Sequence, residues 1–277
     1  MNALAQASVP TAVATAPVVL KAENVGVTFE NGKRRVEAIR KVDFELYQGE
    51  TLAIVGPSGC GKSTLFNAIA GLLRPTRGHV TVAGRRVDDA AGQVGYMLQK
   101  DLLLPWRTVI DNVMLGLEVR NTPKGRSREI AMDLIRAYGL AGFETAKPAT
   151  LSGGMRQRVA IMRTLAFDPQ VILLDEPFSA LDFQTRLLLQ ADVSRIIAER
   201  GKSAILVTHD IGEAIAMADR VLILSARPAT VRALHIIELP KVGRDPVALR
   251  TDSVFQEYFS RIWADLEIPA EIPANTP

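Results

Sequence analysis

The sequence predicts an α/β fold, a mostly parallel sheet sandwiched between helices, and three observations carry that expectation. Runs that are apolar at nearly every position recur: "TLAIVG" (51–56), "VILLDEP" (171–177), "AILVTH" (204–209) and "VLIL" (221–224). Strands of that kind are buried on both faces, as in parallel sheets. One of them leads into a glycine-rich turn, "GPSGCGKST" (56–64), and then into the helix-like "STLFNAIAGLL". Between "QVGYMLQ" (93–99) and "VILLDEP" the apolar period changes from strand to helix, which marks an inserted helical lobe over about 100–167.

Taken in order, residues 1–17 are expected to be a disordered tail, because the first 20 residues lack Lys and Arg and are broken by Pro10 and Pro17, unlike a secretory signal. The turn at 56–64 matches G-x-x-x-x-G-K-[ST], with an apolar strand before it and a helix after it. Gly56, Gly59 and Gly61 let successive backbone N–H groups point at phosphate oxygens, and the helix adds its positive N-terminal end. Lys62 should reach the β and γ phosphates and the Ser63 hydroxyl should ligate Mg²⁺, so a nucleoside triphosphate and Mg²⁺ are expected here. Pro57, Ser58, Cys60 and Thr64 complete the cradle; Cys60 occupies a non-specified position and is assigned no chemistry.

In the lobe, Val109, Val113 and Leu117 share one helix face and Met155, Val159, Met162 and Ala166 another. The second of these helices is introduced by "LSGGMRQR" (151–158), where the Ser152 hydroxyl and the Gly153 and Gly154 amides can form a second anion site at a helix N-terminus. In "VILLDEP" a buried strand ends in two carboxylates at the sheet rim. Asp175 can hold the Mg²⁺ shell, and Glu176 is free to polarise a water. Alone, an acidic pair before a proline more often starts a helix; the phosphate turn upstream reverses that reading. From 241 to 277 the sequence reads as a C-terminal helix and tail, with Phe255, Phe259, Ile262 and Leu266 on one stripe that packs on the domain or, alternatively, binds a partner.

Composition narrows the class. Hydrophobic residues make up 48% and charged residues 23%, a globular balance. The 33 Lys and Arg are scattered among 30 Asp and Glu, so no nucleic-acid groove is indicated. The single cysteine, Cys60, excludes an internal disulfide framework and fits a reducing cytosol. No apolar run approaches the ~20 residues that cross a bilayer.

"GPSGCGKST", Gln99, "LSGGMRQR", "VILLDEP", "SALD" (179–182) and His209, in that order, resemble the ATP-binding cassette (ABC) ATPases over about residues 18–240. The resemblance implies a P-loop NTPase core with a small N-terminal antiparallel β subdomain and an inserted helical subdomain. It implies a homodimer of cassettes packed head to tail, in which the P-loop of each holds ATP against the "LSGG" of the other. It also implies that Gln99 senses Mg²⁺ and the attacking water, that Asp182 communicates across the dimer, and that His209 contacts the γ-phosphate. Phe29 sits where the family carries an aromatic that stacks on adenine, the alternative being a core aromatic of the N-terminal sheet. Met155 departs from the family's frequent Gln.

"KDLLLPWRTVIDNV" (100–113), with Pro105 and Trp106, lies where the family's cassette receives its permease, the alternative being a core tryptophan. With "ALDFQTR" and the terminal "FQEYFSRIWADLE", it is similar to importer ATPases of the nitrate, sulfonate and taurine group. That likeness implies integral-membrane permease subunits, an extracytoplasmic solute-binding protein reached through them, and a peripheral place on the cytoplasmic face of the cell membrane. Alternatives are the same motor in an importer of thiamine-precursor pyrimidines, a soluble cassette acting on ribosomes or DNA, and a nucleotide-sensing subunit that does not hydrolyse.

Overall fold

The computed structural model describes residues 16–32, 34–87, 92–239 and 246–266, so the expected tail over 1–17 falls outside it up to residue 15. In chain order the elements are β1 (Val18–Asn31), β2 (Arg34–Tyr47), β3 (Thr51–Val55), α1 (Lys62–Ile69), β4 (Arg77–Val82), β5 (Arg85–Arg86) and β6 (Val94–Met97). Then come α2 (Val109–Val119), α3 (Lys124–Ala137), α4 (Gly153–Leu165), β7 (Val171–Asp175), α5 (Phe183–Glu199) and β8 (Ser203–Val207). The chain continues through α6 (Ile211–Met217), β9 (Arg220–Leu224), β10 (Ala229–Ile236), α7 (Pro246–Arg250) and α8 (Ser253–Leu266).

The strands form one sheet in the order β5-β4-β1-β2-β10-β9-β3-β8-β7-β6. From β6 to β9 every pairing is parallel. Every residue of β3, β7, β8 and β9 is buried, which is why these segments read as unbroken apolar runs. The other half is largely antiparallel: β1 pairs with β2 and β4, and β10 with β9. This is the mixed α/β architecture that the sequence predicts.

Three apolar clusters fill the layers. One joins α2, α3, α4 and α5 to the edge of the parallel strands. A second lies between α1 and the β1–β2 layer, and a third holds α6 and α8 against β3 and β9. Phe255 and Ile262 of α8 are buried, and Phe259 and Leu266 pack beside them, so the stripe docks on the domain itself. Burying each of those two side chains contributes about 1.5–3 kcal/mol. Tyr258 Oη, which accepts from Glu238 N–H at 3.0 Å, and His235 Nε2, 2.7 Å from Asp265 Oδ2, fix the helix on β10 and the segment after it.

The loop before α2 is shaped from inside. Thr108 caps the helix in a reciprocal box with Asp111. Fully buried Asn112 accepts from Leu104 N–H at 2.8 Å and donates to the carbonyls of Leu104, Arg107 and Thr108 at 3.2, 3.3 and 2.9 Å. This clamp turns the 104–108 loop outward and leaves Trp106 70% exposed, which removes the core-tryptophan alternative.

Candidate functional site

The phosphate turn joins β3 to α1. Gly61, the residue before α1, has φ 120°, and a Cβ there would lie 3.1 Å from Ala38 O of β2. Only glycine fits that conformation and that close approach. No side chain caps α1, so its first N–H groups face the loop and form an anion site. Lys62 is buried, its ammonium donating to Gly56 O at 2.8 Å and Pro57 O at 3.0 Å. Ser58, Gly59 and Ser63 are exposed at the mouth, with Pro57 and Thr64 half-buried. The Cys60 side chain is buried in the second cluster, and burial pushes its thiol pKa up, so of this residue only the backbone can meet a ligand.

Because β6, β7, β8 and β3 run parallel side by side, their C-terminal ends place Gln99, Asp175, Glu176, His209 and the phosphate turn on one rim. Gln99 Nε2 donates to Glu176 Oε2 at 3.0 Å, and His209 Nδ1 lies 3.3 Å from Glu176 Oε1. Both carboxylate oxygens of Glu176 are thus addressed from the neighbouring strand ends. Its backbone is held in the left-handed region, φ 44°, with its N–H donating to Val207 O at 2.9 Å. Tyr96 Oη of β6 donates to Asp175 Oδ2 at 3.1 Å. Burial raises the Asp175 pKa, and adjacent Glu176 adds to the rise, while Tyr96 and Lys62 oppose it.

The turn fits a polyphosphate: an uncapped helix end, a glycine whose Cβ would strike the neighbouring strand, and a buried lysine. Among the described residues no group of three or more His, Cys, Asp or Glu could hold a metal alone. Ser63 at the start of α1 and Asp175 at the end of β7 offer a hydroxyl and a carboxylate at one rim, a donor set that Mg²⁺ takes together with substrate phosphates.

The second cradle is built on another core. Ser152 is the N-cap of α4 and accepts from Met155 N–H at 3.3 Å. A Cβ at Gly154 would come 2.9 Å from Thr185 Cγ2, so glycine lets α4 close on α5. Asp182 caps α5, accepting from Thr185 N–H at 3.0 Å, and that bond holds its carboxyl below the usual range. Among the described residues no hydrogen bond or ion pair joins residues 152–154 to residues 56–64. Phe29 is 45% exposed and faces Val36 on the β1–β2 hairpin, two residues from the Ala38 that meets Gly61. It is therefore not a core aromatic.

Sequence reasoning missed several supporting residues. Tyr96 hides inside an apolar strand run, where its hydroxyl alone signals a buried partner. Asp101 accepts from Arg156 Nε at 3.1 Å, and Arg163 donates to the Asp101 and Leu102 carbonyls at 2.6 and 2.8 Å. These bonds fasten the segment after Gln99 to the helix that Ser152 begins. Glu213 is buried behind His209 and hydrogen-bonded to Thr208.

Residues 39–179 match the ABC transporter family. Over 247 residues, 89% of this chain and 95% of the relative, the chain is 43% identical to an uncharacterized ABC transporter ATP-binding protein, YtlC, of Bacillus subtilis. It is 43% identical over 216 residues to the taurine import ATP-binding protein TauB of Rhizobium johnstonii, covering 78% of this chain and 82% of that one. Among solved structures, the ATP-binding cassette MJ0796, as a dimer in a post-hydrolysis state with ADP and Pi, superposes with TM-score 0.69 at 31% identity, covering 80% of this chain and all of that one.

Proposed function

Because this chain belongs to the ABC transporter ATP-binding family and is an ATPase of that family, we propose that it is the motor subunit of an importer, driving a small sulfonate-type anion such as taurine through a separate permease. The observation that carries the reading is the convergence of Gln99 and His209 on Glu176, one residue beyond Asp175 at the same sheet rim as the phosphate turn. The likeness to a taurine import protein supports the substrate class.

In the proposed mechanism the α1 N-terminus and the 56–64 amides bind the ATP phosphates, and Lys62 turns from its loop carbonyls to the β and γ phosphates. Ser63, Asp175 and Gln99 would hold Mg²⁺, which would supply positive charge to offset that of the phosphates. Glu176 orients the attacking water and accepts its proton, while Gln99 and His209 fix the carboxylate and His209 faces the γ-phosphate. Phe29 supplies a stacking face for adenine. Ser152, Gly153 and Gly154 serve the nucleotide of a second copy, with Asp182 beside them.

Trp106 and Leu102, both exposed, form the surface offered to the permease. Among the described residues no helix is long and apolar enough to cross a membrane. In the proposed complex the permease spans the membrane and this chain sits peripherally on its cytoplasmic face. A solute-binding protein delivers cargo through the permease.

Complementation tests the shared sites. Ser152→Arg keeps ATP affinity but loses about 10²-fold in turnover, since a cation occupies the helix end meant for phosphate. Mixed with an inactive Lys62→Ala chain, it regains partial activity, because one composite site of the mixed dimer is intact; failure of phosphate release to recover at any ratio overturns the assignment. Coupling has its own test. Trp106→Ala changes stability by less than about 0.5 kcal/mol, yet weakens permease association by about 2 kcal/mol, the contribution of a desolvated interface anchor. Undiminished taurine-stimulated ATPase in the reconstituted complex would refute it.

A further inference from the structure

Glu213, in the first turn of α6, is 4% exposed. Its Oε2 accepts from Thr208 Oγ1 at 3.0 Å, and the same hydroxyl accepts from Asp210 N–H at 3.0 Å. The two bonds bracket His209. Asp210 caps α6 by accepting Glu213 N–H at 3.1 Å and pairs with Arg186 at 3.5 Å. Arg186 donates to the carbonyl of Leu181, immediately before Asp182, at 3.1 Å. A continuous chain of contacts therefore runs from the Asp182 loop to the turn that carries His209.

The second carboxyl oxygen of Glu213, Oε1, is buried and has no hydrogen-bond partner. A carboxylate in that position is penalised far more than the neutral acid. Asp210 and Glu176 reinforce the penalty, Arg186 on α5 opposes it, and Arg250 on α7 lies against neighbouring Gly212. Burial dominates and pushes the carboxyl up to about 8.

We propose that Glu213 is a positioning residue for ATP hydrolysis: its buried carboxyl holds the Thr208 hydroxyl, and through it the bearing of His209 toward Glu176, at the end of the chain of contacts that reaches the Asp182 loop. It touches neither substrate nor reacting atoms. The inference rests on the reading of Glu176 and His209 given above. Ionisation places a second negative charge behind Glu176, so turnover declines on the alkaline side. Stability follows the same sign. Between the ordinary value of 4.5 and about 8 the folded chain keeps a proton that the unfolded chain has lost. Stability therefore falls as pH rises through that window, and the full penalty is present above it.

The test uses the full chain, with phosphate release and thermal melts from about pH 6 to about pH 9. Glu213→Ala and Thr208→Val are expected to lower kcat by about 10-fold to about 100-fold at unchanged KM for ATP. Glu213→Gln, which keeps an acceptor for the Thr208 hydroxyl, brings kcat back to within about threefold of wild type and removes the alkaline fall in both kcat and melting temperature. Wild-type turnover in Glu213→Ala, or an unchanged alkaline fall in Glu213→Gln, overturns the proposal. If Glu213→Ala does not fold, Thr208→Val and Glu213→Gln decide by the same criteria. His209→Ala separates the two failures: normal turnover there sinks the reading of the site, whereas an inactive His209→Ala beside an active Glu213→Ala sinks only the role of Glu213.

Discussion

Glu176→Gln slows ATP turnover by about 10² to 10⁴, the usual contribution of a positioned base, while ATP and Mg²⁺ still bind. The amide keeps the shape of the side chain and one acceptor for Gln99 and His209, which lie 3.0 and 3.3 Å from the carboxylate oxygens, but it is a poor base. Its neutrality removes a negative charge from beside the γ-phosphate, which favours closure of two chains around ATP. The variant therefore accumulates as an ATP-dependent dimer. Size-exclusion chromatography with and without Mg-ATP, beside a phosphate-release assay, separates the two parts. Wild-type hydrolysis would end the case for Glu176 as base; an inactive variant that stays monomeric in ATP would leave the base and remove the shared site.

Lys62→Ala abolishes useful turnover, a loss of about 10³-fold or more, and weakens nucleotide binding, because it removes the cation that meets the charge developing on the transferred phosphoryl group. The fold survives. Among the described residues the Lys62 ammonium donates only to the Gly56 and Pro57 carbonyls, at 2.8 and 3.0 Å; such charge-assisted bonds contribute about 1.5–3 kcal/mol each, offset by the cost of burying the ammonium. Equilibrium nucleotide binding, phosphate release and a thermal melt on the same preparation check all three statements. Near-normal ATPase activity would remove the phosphate turn from its assigned place.

The parallel half of the sheet was legible because burial on both faces leaves a direct trace, an unbroken apolar run, in β3, β7, β8 and β9. The antiparallel half was not. β1 carries register shifts between Val18 and Leu20, between Ala22 and Val25, and on to Thr28. Each bulge slips the alternation that would have revealed a strand. Resemblance, not periodicity, supplied that subdomain. At the site, motif order singled out Gln99, Asp175, Glu176 and His209 as candidates, which the fold brings to one rim, but their supports were hidden. Glu213 sits in "IGEAIAMA", where a helical pattern assigns a glutamate to the solvent face, yet every residue of α6 is buried. Tyr96 lies in a four-residue strand too short to show which face meets Asp175. Such residues become visible only when the packing of neighbouring elements is known.

The left-handed backbone of Glu176 sets evolvability against durability at this position. A side chain with a Cβ at φ 44° costs about 1–2 kcal/mol that glycine would not. Asparagine tolerates the conformation better than glutamate does. Directed evolution for heat resistance alone would therefore press on the proposed catalytic carboxylate, and any thermostabilised descendant of this chain should be sequenced at 176 before its melting temperature is celebrated.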